Sequence, residues 1–420
     1  MAIYQGNTKI SGSGVQVDNF FSETSTNPVQ NKIVTEALED VGYSTWQKPA
    51  DWIDIRSGAL PNSVYFLVGH SAPTESEGTY TVATYPQFSV YANVSSSGTY
   101  DVYVDGIKVA TTNSGTATTL DWGTLYTNGT VISGHNVTYP AALVTHIVRV
   151  TPSTSTNTFS AFHLVTNSSV NQGVLWCHST ASNAVNFDSL FGAYGASYKC
   201  LVLEAMTTTR ASVGLGPFMF SGCASLKEVP VFSGSANAAE AFMKTKLKRI
   251  KLKGFSCNVP SYSMFNSAVE LKEIECEESI IQPSDSTFQA CTSLKTLPVL
   301  DFSSTTSANR LLRGCTALQD TYVDASNGHL LKRLVLDDTG SNLSGVKGCV
   351  VSNQAPFDGS SPQISIAYTG LDRAALVNLF NSMPTVTDSQ VVNIIGATGA
   401  SDLTASDLAI ATGKGWTVTR

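Results

Sequence analysis

Six histidines could supply acid–base or metal chemistry: His70, His135, His146, His163, His178 and His329. A metalloprotease helix would carry two of them around a glutamate, and a zinc site would add cysteines at short paired spacing. Neither pattern occurs. Cys177 and His178 are adjacent, so on a strand their side chains diverge and cannot serve as nucleophile and base. Asp337-Asp338 and the Asp101/Asp105 pair offer carboxylates, but both read as loop or hairpin residues. A glycan-degrading enzyme needs an acid and a base facing each other across a groove, and no spacing here imposes one. Nucleophile elbow, phosphate loop and dinucleotide fingerprint are all missing. The sequence therefore names no catalytic residue, no metal ligand and no cofactor, and it predicts a non-enzymatic protein.

A different kind of residue recurs with a period. Lys227, Lys248, Lys272 and Lys295 hold one position in four similar stretches. If those stretches stack, the four lysines form a column on a solvent-facing sheet. Beside them stand Glu228, Arg249, Glu273 and Thr296, so the mild repulsion of like charges is partly relieved. The bland role of such a column is a solvated face that keeps the sheet from pairing with other sheets. The functional role is a strip for an acidic glycan or a neighbouring protein subunit.

The elements that would position these lysines are the repeats themselves. The copies are FSGCASLKEVPVF from Phe220, FMKTKLKRIKLKGF from Phe242, FNSAVELKEIECE from Phe265, FQACTSLKTLPVL from Phe288 and LRGCTALQDTYVD from Leu312, at offsets of 22, 23, 23 and 24 residues. A looser copy starts at Phe191 and a truncated one at Leu330. One repeat cannot bury its apolar face alone, whereas stacked repeats can, as a parallel ladder. The spacing predicts inward columns made of Leu226, Val229 and Val231, then Leu247, Ile250 and Leu252, then Leu271, Ile274 and Cys276, then Leu294, Leu297 and Val299. Thr321 interrupts the fifth. The phenylalanines cap each coil from the returning side. Cys223, Cys291 and Cys315 share a position with Ala268, which marks a small packing site holding reduced thiols, not disulfides.

Outside the repeats the chain is β-rich, and charged residues are only 14% of it. The low charge, with abundant Ser, Thr, Asn and Gly, suits extended surface proteins better than cytosolic enzymes. A net charge of −7 argues against nucleic-acid binding as the main role. No apolar run is long enough for a membrane span, so membrane insertion is not expected. The expected order is a segment over 1–45, a connector over 46–79, an antiparallel β-sandwich of Ig or PKD type over 80–170, a solenoid over 171–348 and an α/β cap over 349–420. The sandwich is read from the alternation of Phe88, Val90, Ala92 and Val94 and from the Asp105-Gly106 hairpin turn. The cap is read as strand, helix, strand, helix, strand, with the first helix ending before Pro384.

In the first segment Asn27, Pro28 and Gln30 begin a helix that Gly42 closes. Val29, Ile33, Ala37 or Leu38, and Val41 form one stripe. A helix of that length is marginal alone, so the stripe predicts an oligomerisation face, with a homotrimer favoured. Docking on the chain's own body or on another protein is the alternative.

The repeat core resembles the BspA-like leucine-rich repeats, and LDRAALVNLFNSMP with TASDLAIATGKGWTV resembles the terminal unit that follows such repeats. TSTNPVQNKIVTEAL, residues 24–38, resembles a segment of phage fibre proteins of both tail and head. KPADWIDI, residues 48–55, is similar to a connector found before phage tail-fibre domains. The second copy departs from the pattern in lacking the cysteine. The resemblance implies a structural phage virion fibre, fixed to capsid or tail through its N-terminus and offering its distal domains to a host-surface glycan or protein. The alternatives are a bacterial BspA-like surface adhesin, against which the absence of an export signal at the start weighs, and a glycan-degrading virion enzyme.

Overall fold

The computed structural model describes residues 3–5, 8–10, 46–131, 134–138, 142–164, 173–181, 191, 202–257, 260–352, 362–387 and 390–420. The chain forms two units, Met1–Gln47 and Lys48–Arg420. In the first, the strands Ile3–Gln5 and Thr8–Ile10 pair antiparallel. The helix expected over 27–42, with Val29, Ile33, Ala37, Leu38 and Val41, lies outside the described residues.

The second unit opens with two facing sheets. The larger runs Ala205–Thr208, Val174–Ser179, Val64–His70, Leu143–Pro152, Thr99–Val104, Ile107–Asn113, and His135–Val137 pairs beside Leu143–Pro152. The smaller runs Phe159–Leu164, Gln87–Val94, Thr116–Asp121. Phe88, Val90, Ala92 and Val94 are buried between them, as are Tyr100, Val102 and Val104. The expected start at 80 needs correction, because the connector assigned to 46–79 contains Val64–His70, a strand inside the larger sheet. Every residue of that strand is buried. A strand covered on both faces loses the apolar–polar alternation by which strands are recognised. Trp52 and Ile55, from the stretch before it, are buried too.

The repeats wind into a parallel β-solenoid. Phe232–Ala236, Arg249–Cys257 and Glu273–Glu277 pair in parallel. On the returning side each coil donates three backbone hydrogen bonds to the next. Glu240, Phe242 and Lys244 give their N–H groups to Tyr262, Met264 and Asn266, and Ser263, Phe265 and Ser267 give theirs to Asp285, Thr287 and Gln289. The outer residues of each trio are left-handed, with φ of 54° and 60° in the first and 50° and 61° in the second. Positive φ on either side of the phenylalanine aims alternate amides along the stack, at a backbone cost that the hydrogen bonds offset.

The inward columns need one correction. Val231 and Val299 do not point inward: Phe232 is buried in the place opposite Leu252, and Val299 is 66% exposed while Leu300 is half-buried. Both copies carry a proline, Pro230 or Pro298, which lacks an amide donor and cannot pair as its neighbours do. The inward residue therefore falls one position later than in the proline-free copies. Thr321 is buried as expected, and its hydroxyl donates to the Gln319 carbonyl.

The C-terminal residues form the expected α/β cap, strand, helix, strand, helix, strand, with the first helix ending at Ser382, and its strands prolong the stack. Ser307–Asn309, Arg333–Val335, Ile364–Ser365, Gln390–Asn393 and Trp416–Thr419 form one parallel sheet. The ladder of the phenylalanine column goes on as well: Leu336 donates to Ser365, Ile366 to Asn393 and Ile394 to Thr419. The expected boundary at 348 falls inside the strand Val346–Val351. Arg373–Ser382 and Ala405–Thr412 are the helices of these wider coils, capped by Asp372 and by a Thr404–Asp407 capping box. Among the described residues no helix is long and apolar enough to cross a membrane.

Candidate binding faces of the solenoid

Inside the solenoid the phenylalanines form a continuous stack. Phe220, Phe242, Phe265 and Phe288 succeed one another at ring-centroid distances of 5.7, 5.6 and 5.5 Å, within 12° of parallel. Phe191 extends the stack at 5.6 Å from Phe220. A coil period fixes one ring above the next, and offset stacking adds to their burial. This rod holds the outer faces in register.

The cysteine column lies beside the rod. The Cys291 thiol donates to the Phe265 carbonyl at 3.1 Å, and Cys315 to the Phe288 carbonyl at 2.9 Å. Burial drives Cys291 well above its usual range and pushes Cys315 and Cys349 up to about 12. These are thiols that resist forming the reactive thiolate. In the second coil Thr245 takes the column position and donates to the Phe242 carbonyl at 3.0 Å.

Lys248, Lys272 and Lys295 are brought together as a row through their backbones, and the Lys227 N–H donates to the Glu204 carbonyl. Lys272 N–H donates to the Lys248 carbonyl, and Lys295 N–H donates to the Lys272 carbonyl. Lys227, Lys248 and Lys295 are exposed and Lys272 is half-buried. The row is not purely cationic, because Lys227 Nζ bonds the buried Glu204 carboxylate at 3.0 Å.

A second ladder escaped the sequence reading. Arg249, Lys251 and Lys253 face outward from one strand, and Glu273, Glu275 and Glu277 face outward from the next, in register. The pairs stand at 3.5, 3.5 and 2.6 Å. The signal was present as R-x-K-x-K followed one coil later by E-x-E-x-E. The mutual bonds hold Glu277 below the usual carboxylate range and Lys253 above the usual ammonium range.

The sandwich holds a cluster that no local spacing could reveal. Asp105 Oδ2 meets His146 Nδ1 at 2.6 Å, and His146 Nε2 meets the Tyr126 hydroxyl at 3.0 Å. His70 stacks on His146 at 5.2 Å and lies 5.1 Å from Trp122. Burial lowers His70 to about 4 and pushes Tyr126 up to about 12, the direction opposite to activation of a phenol. Asp101 is bound by Lys108 Nζ at 2.8 Å and by the hydroxyls of Thr111, Ser153 and Tyr103. Asp337 accepts from Thr339 and Ser341 in a tight turn, and Arg310 bonds Asp338 at 2.6 Å. Cys177 and His178 lie in the strand Val174–Ser179, with His178 Nδ1 on the Thr207 hydroxyl at 2.9 Å. Among the described residues no three His, Cys, Asp or Glu side chains are grouped to hold a metal ion.

Residues 194–322 match the family model described as BspA type leucine rich repeat region, in six copies. This part of the chain is a BspA-type leucine-rich repeat region folded as a β-solenoid. No curated protein and no solved structure matches the chain.

Proposed function

We propose that this chain is a non-enzymatic surface protein whose solenoid adheres to, or binds, another molecule. The observation that carries this is the repeat region itself. BspA-type repeats are typical of surface adhesion and binding proteins, and here they hold long rows of outward side chains in register on a stacked aromatic core. A fold alone does not fix function. The support is the combination of a rigid scaffold and repeated solvent-facing side chains. Beads coated with the full chain are expected to adhere to host cells above beads coated with an unrelated acidic protein. Equal adhesion would overturn the reading. Release of reducing sugar from the same surface would favour the glycan-degrading alternative.

Two placements follow, and the repeat match favours the first, a bacterial cell-surface adhesin. The second is a phage virion fibre on head or tail, and its support is the segment over 24–38 together with KPADWIDI. Immunogold labelling separates them, since label on the cell envelope and label on phage particles are exclusive outcomes. A homotrimer through Val29, Ile33, Ala37, Leu38 and Val41 belongs to the second placement. Sedimentation of the full chain against a chain starting at Gly42 tests it, and a monomer in both would remove it.

A further inference from the structure

Two strands of this molecule carry the same outward pattern. Asp101-Val102-Tyr103-Val104-Asp105 lies in the sandwich, and Asp320-Thr321-Tyr322-Val323-Asp324 lies in the solenoid. In each, the two residues between the tyrosine and the aspartates are buried: Val102 and Val104 in the first, Thr321 and Val323 in the second. Tyr103 and Asp101 therefore share the opposite face of the first strand, and Tyr322 and Asp324 that of the second, whereas Asp105 and Asp320 are left-handed residues just beyond the strand ends.

In the sandwich that face is filled. Arg149, opposite Tyr103 on the neighbouring strand, sets its guanidinium 3.9 Å from the ring centroid. Asp101 binds Lys108, and Asp105 binds His146. Asp101, the acceptor beside the ring, thus meets a basic side chain, while Asp105 turns to His146 on the buried side of the sheet.

In the solenoid the same face is bare. The residue opposite Tyr322 is Gly348. Its φ is not positive, so the backbone does not demand glycine there, and glycine weakens a strand. A Cβ at 348 would stand 2.5 Å from Tyr322 Cδ1 and 2.9 Å from Cε1. The glycine thus lets the ring lie down over the neighbouring strand. Tyr322 is 71% exposed. Asp320 and Asp324 are exposed and have no ion-pair partner among the described residues, whereas the charge ladder two coils earlier is fully paired. Asp324 Oδ1 accepts from Ser326 N–H, which leaves Oδ2 available.

We propose that the outward face of Thr321–Ala325 binds an arginine side chain presented by a partner protein, stacked on Tyr322 and donating to Asp324. A planar guanidinium suits both halves of this site, since it stacks on aromatic faces and its fork of donors matches carboxylates. An acidic partner is repelled by the Asp324 carboxylate, and a neutral one leaves it unsatisfied. The site rests on the binding reading of the solenoid and names the chemistry of its partner.

The test titrates the peptide Ac-Ser-Val-Arg-Val-Ser-NH2 into the full chain, beside the same peptide with lysine or with citrulline in place of arginine. Citrulline keeps the plane and removes the charge. The order expected is arginine above lysine above citrulline. Tyr322→Ala should lower the arginine affinity by about fivefold. Gly348→Arg, which supplies the cation from within as Arg149 does in the sandwich, should block binding. Lys253→Ala, on the paired ladder, should leave it unchanged. Equal binding of the arginine and citrulline peptides, no binding by the unaltered chain, or no effect of Tyr322→Ala in a folded protein would each overturn the proposal. Bead adhesion is read separately, so failure of the arginine site and failure of the adhesion reading are told apart.

Discussion

Phe265 shows what a single position does in this molecule. Its ring is fully buried between Phe242 and Phe288, at 5.6 and 5.5 Å. Phe265→Ala should cost about 3–5 kcal/mol, read as a lowered urea midpoint. Phe265→Leu should cost much less, since Leu312 holds the equivalent position one coil beyond Phe288. This position was legible in the sequence because its period is strict and its residue type scarcely varies. Val231 and Val299 were misread because a proline moves the inward residue by one, a shift that simple alignment of the copies conceals. The His70 cluster was illegible for another reason, as its members come from distant parts of the chain and meet only in the folded sandwich. It predicts a pH effect. The folded-state value of His70, about 4, lies below the ordinary value of 6.5, because burial opposes its charge. His146, held by Asp105 and Tyr126, stacks on the same ring. Between these values the unfolded chain binds the extra proton, so stability is full above pH 6.5 and falls as pH drops towards 4. The loss is on the order of 2–3 kcal/mol. Denaturant titrations at pH 7 and pH 4.5 check it, and His70→Phe should remove most of the difference.

At the scale of elements, the strands Arg249–Cys257 and Glu273–Glu277 carry opposite charges on one face. Each pair is solvent-exposed, so its contribution is small and sensitive to salt. Sign should nevertheless matter, because like charges directly across strands repel. Lys251→Glu sets two carboxylates side by side and should cost about 1 kcal/mol at low salt. Adding Glu275→Lys should restore the loss, and high salt should shrink both effects. Thermal unfolding of the single and double variants decides this; equal melting of the unaltered chain and Lys251→Glu at low salt would count against a role for the pairs. Inward periodicity reveals strands of this kind in a sequence. Their outward chemistry emerges only once the register between coils is known. The lysine row was legible because it recurs in four consecutive coils, whereas the acid–base ladder joins two coils of different composition. The strand Val64–His70 was hidden for the opposite reason, having no solvent face to mark it.

The whole second unit is held together by continuity of hydrogen bonding, and that has a mechanical consequence. Val174–Ser179 belongs to the sandwich, yet it pairs in parallel with Ala205–Thr208. Met206 N–H in turn donates to the Glu228 carbonyl in the first full repeat. The sandwich sheet therefore covers the first edge of the solenoid, where an open edge would invite pairing with other chains. The sequence placed a boundary near 170 because the strand-and-turn pattern gives way to the repeats there, but such patterns do not report which strands pair. Repeat stacks gain stability largely from interfaces between neighbours, so damage at this junction should be felt on both sides. Met206 is fully buried there. Met206→Asp would bury an unpaired carboxylate and should cost about 4 kcal/mol or more. In a background carrying Trp416→Phe and Cys177→Ala, Trp122 and Trp176, both buried on the sandwich side, report that side by fluorescence, while Cys291 and Cys315 report the solenoid through thiol labelling. In that background the two probes should lose structure together as urea rises. In Met206→Asp both should shift to lower urea, because neither side retains its shared strand. A fluorescence transition that stays in place while thiol labelling moves would mean that the sandwich stands without the solenoid, and the junction would then be a contact and not a common sheet.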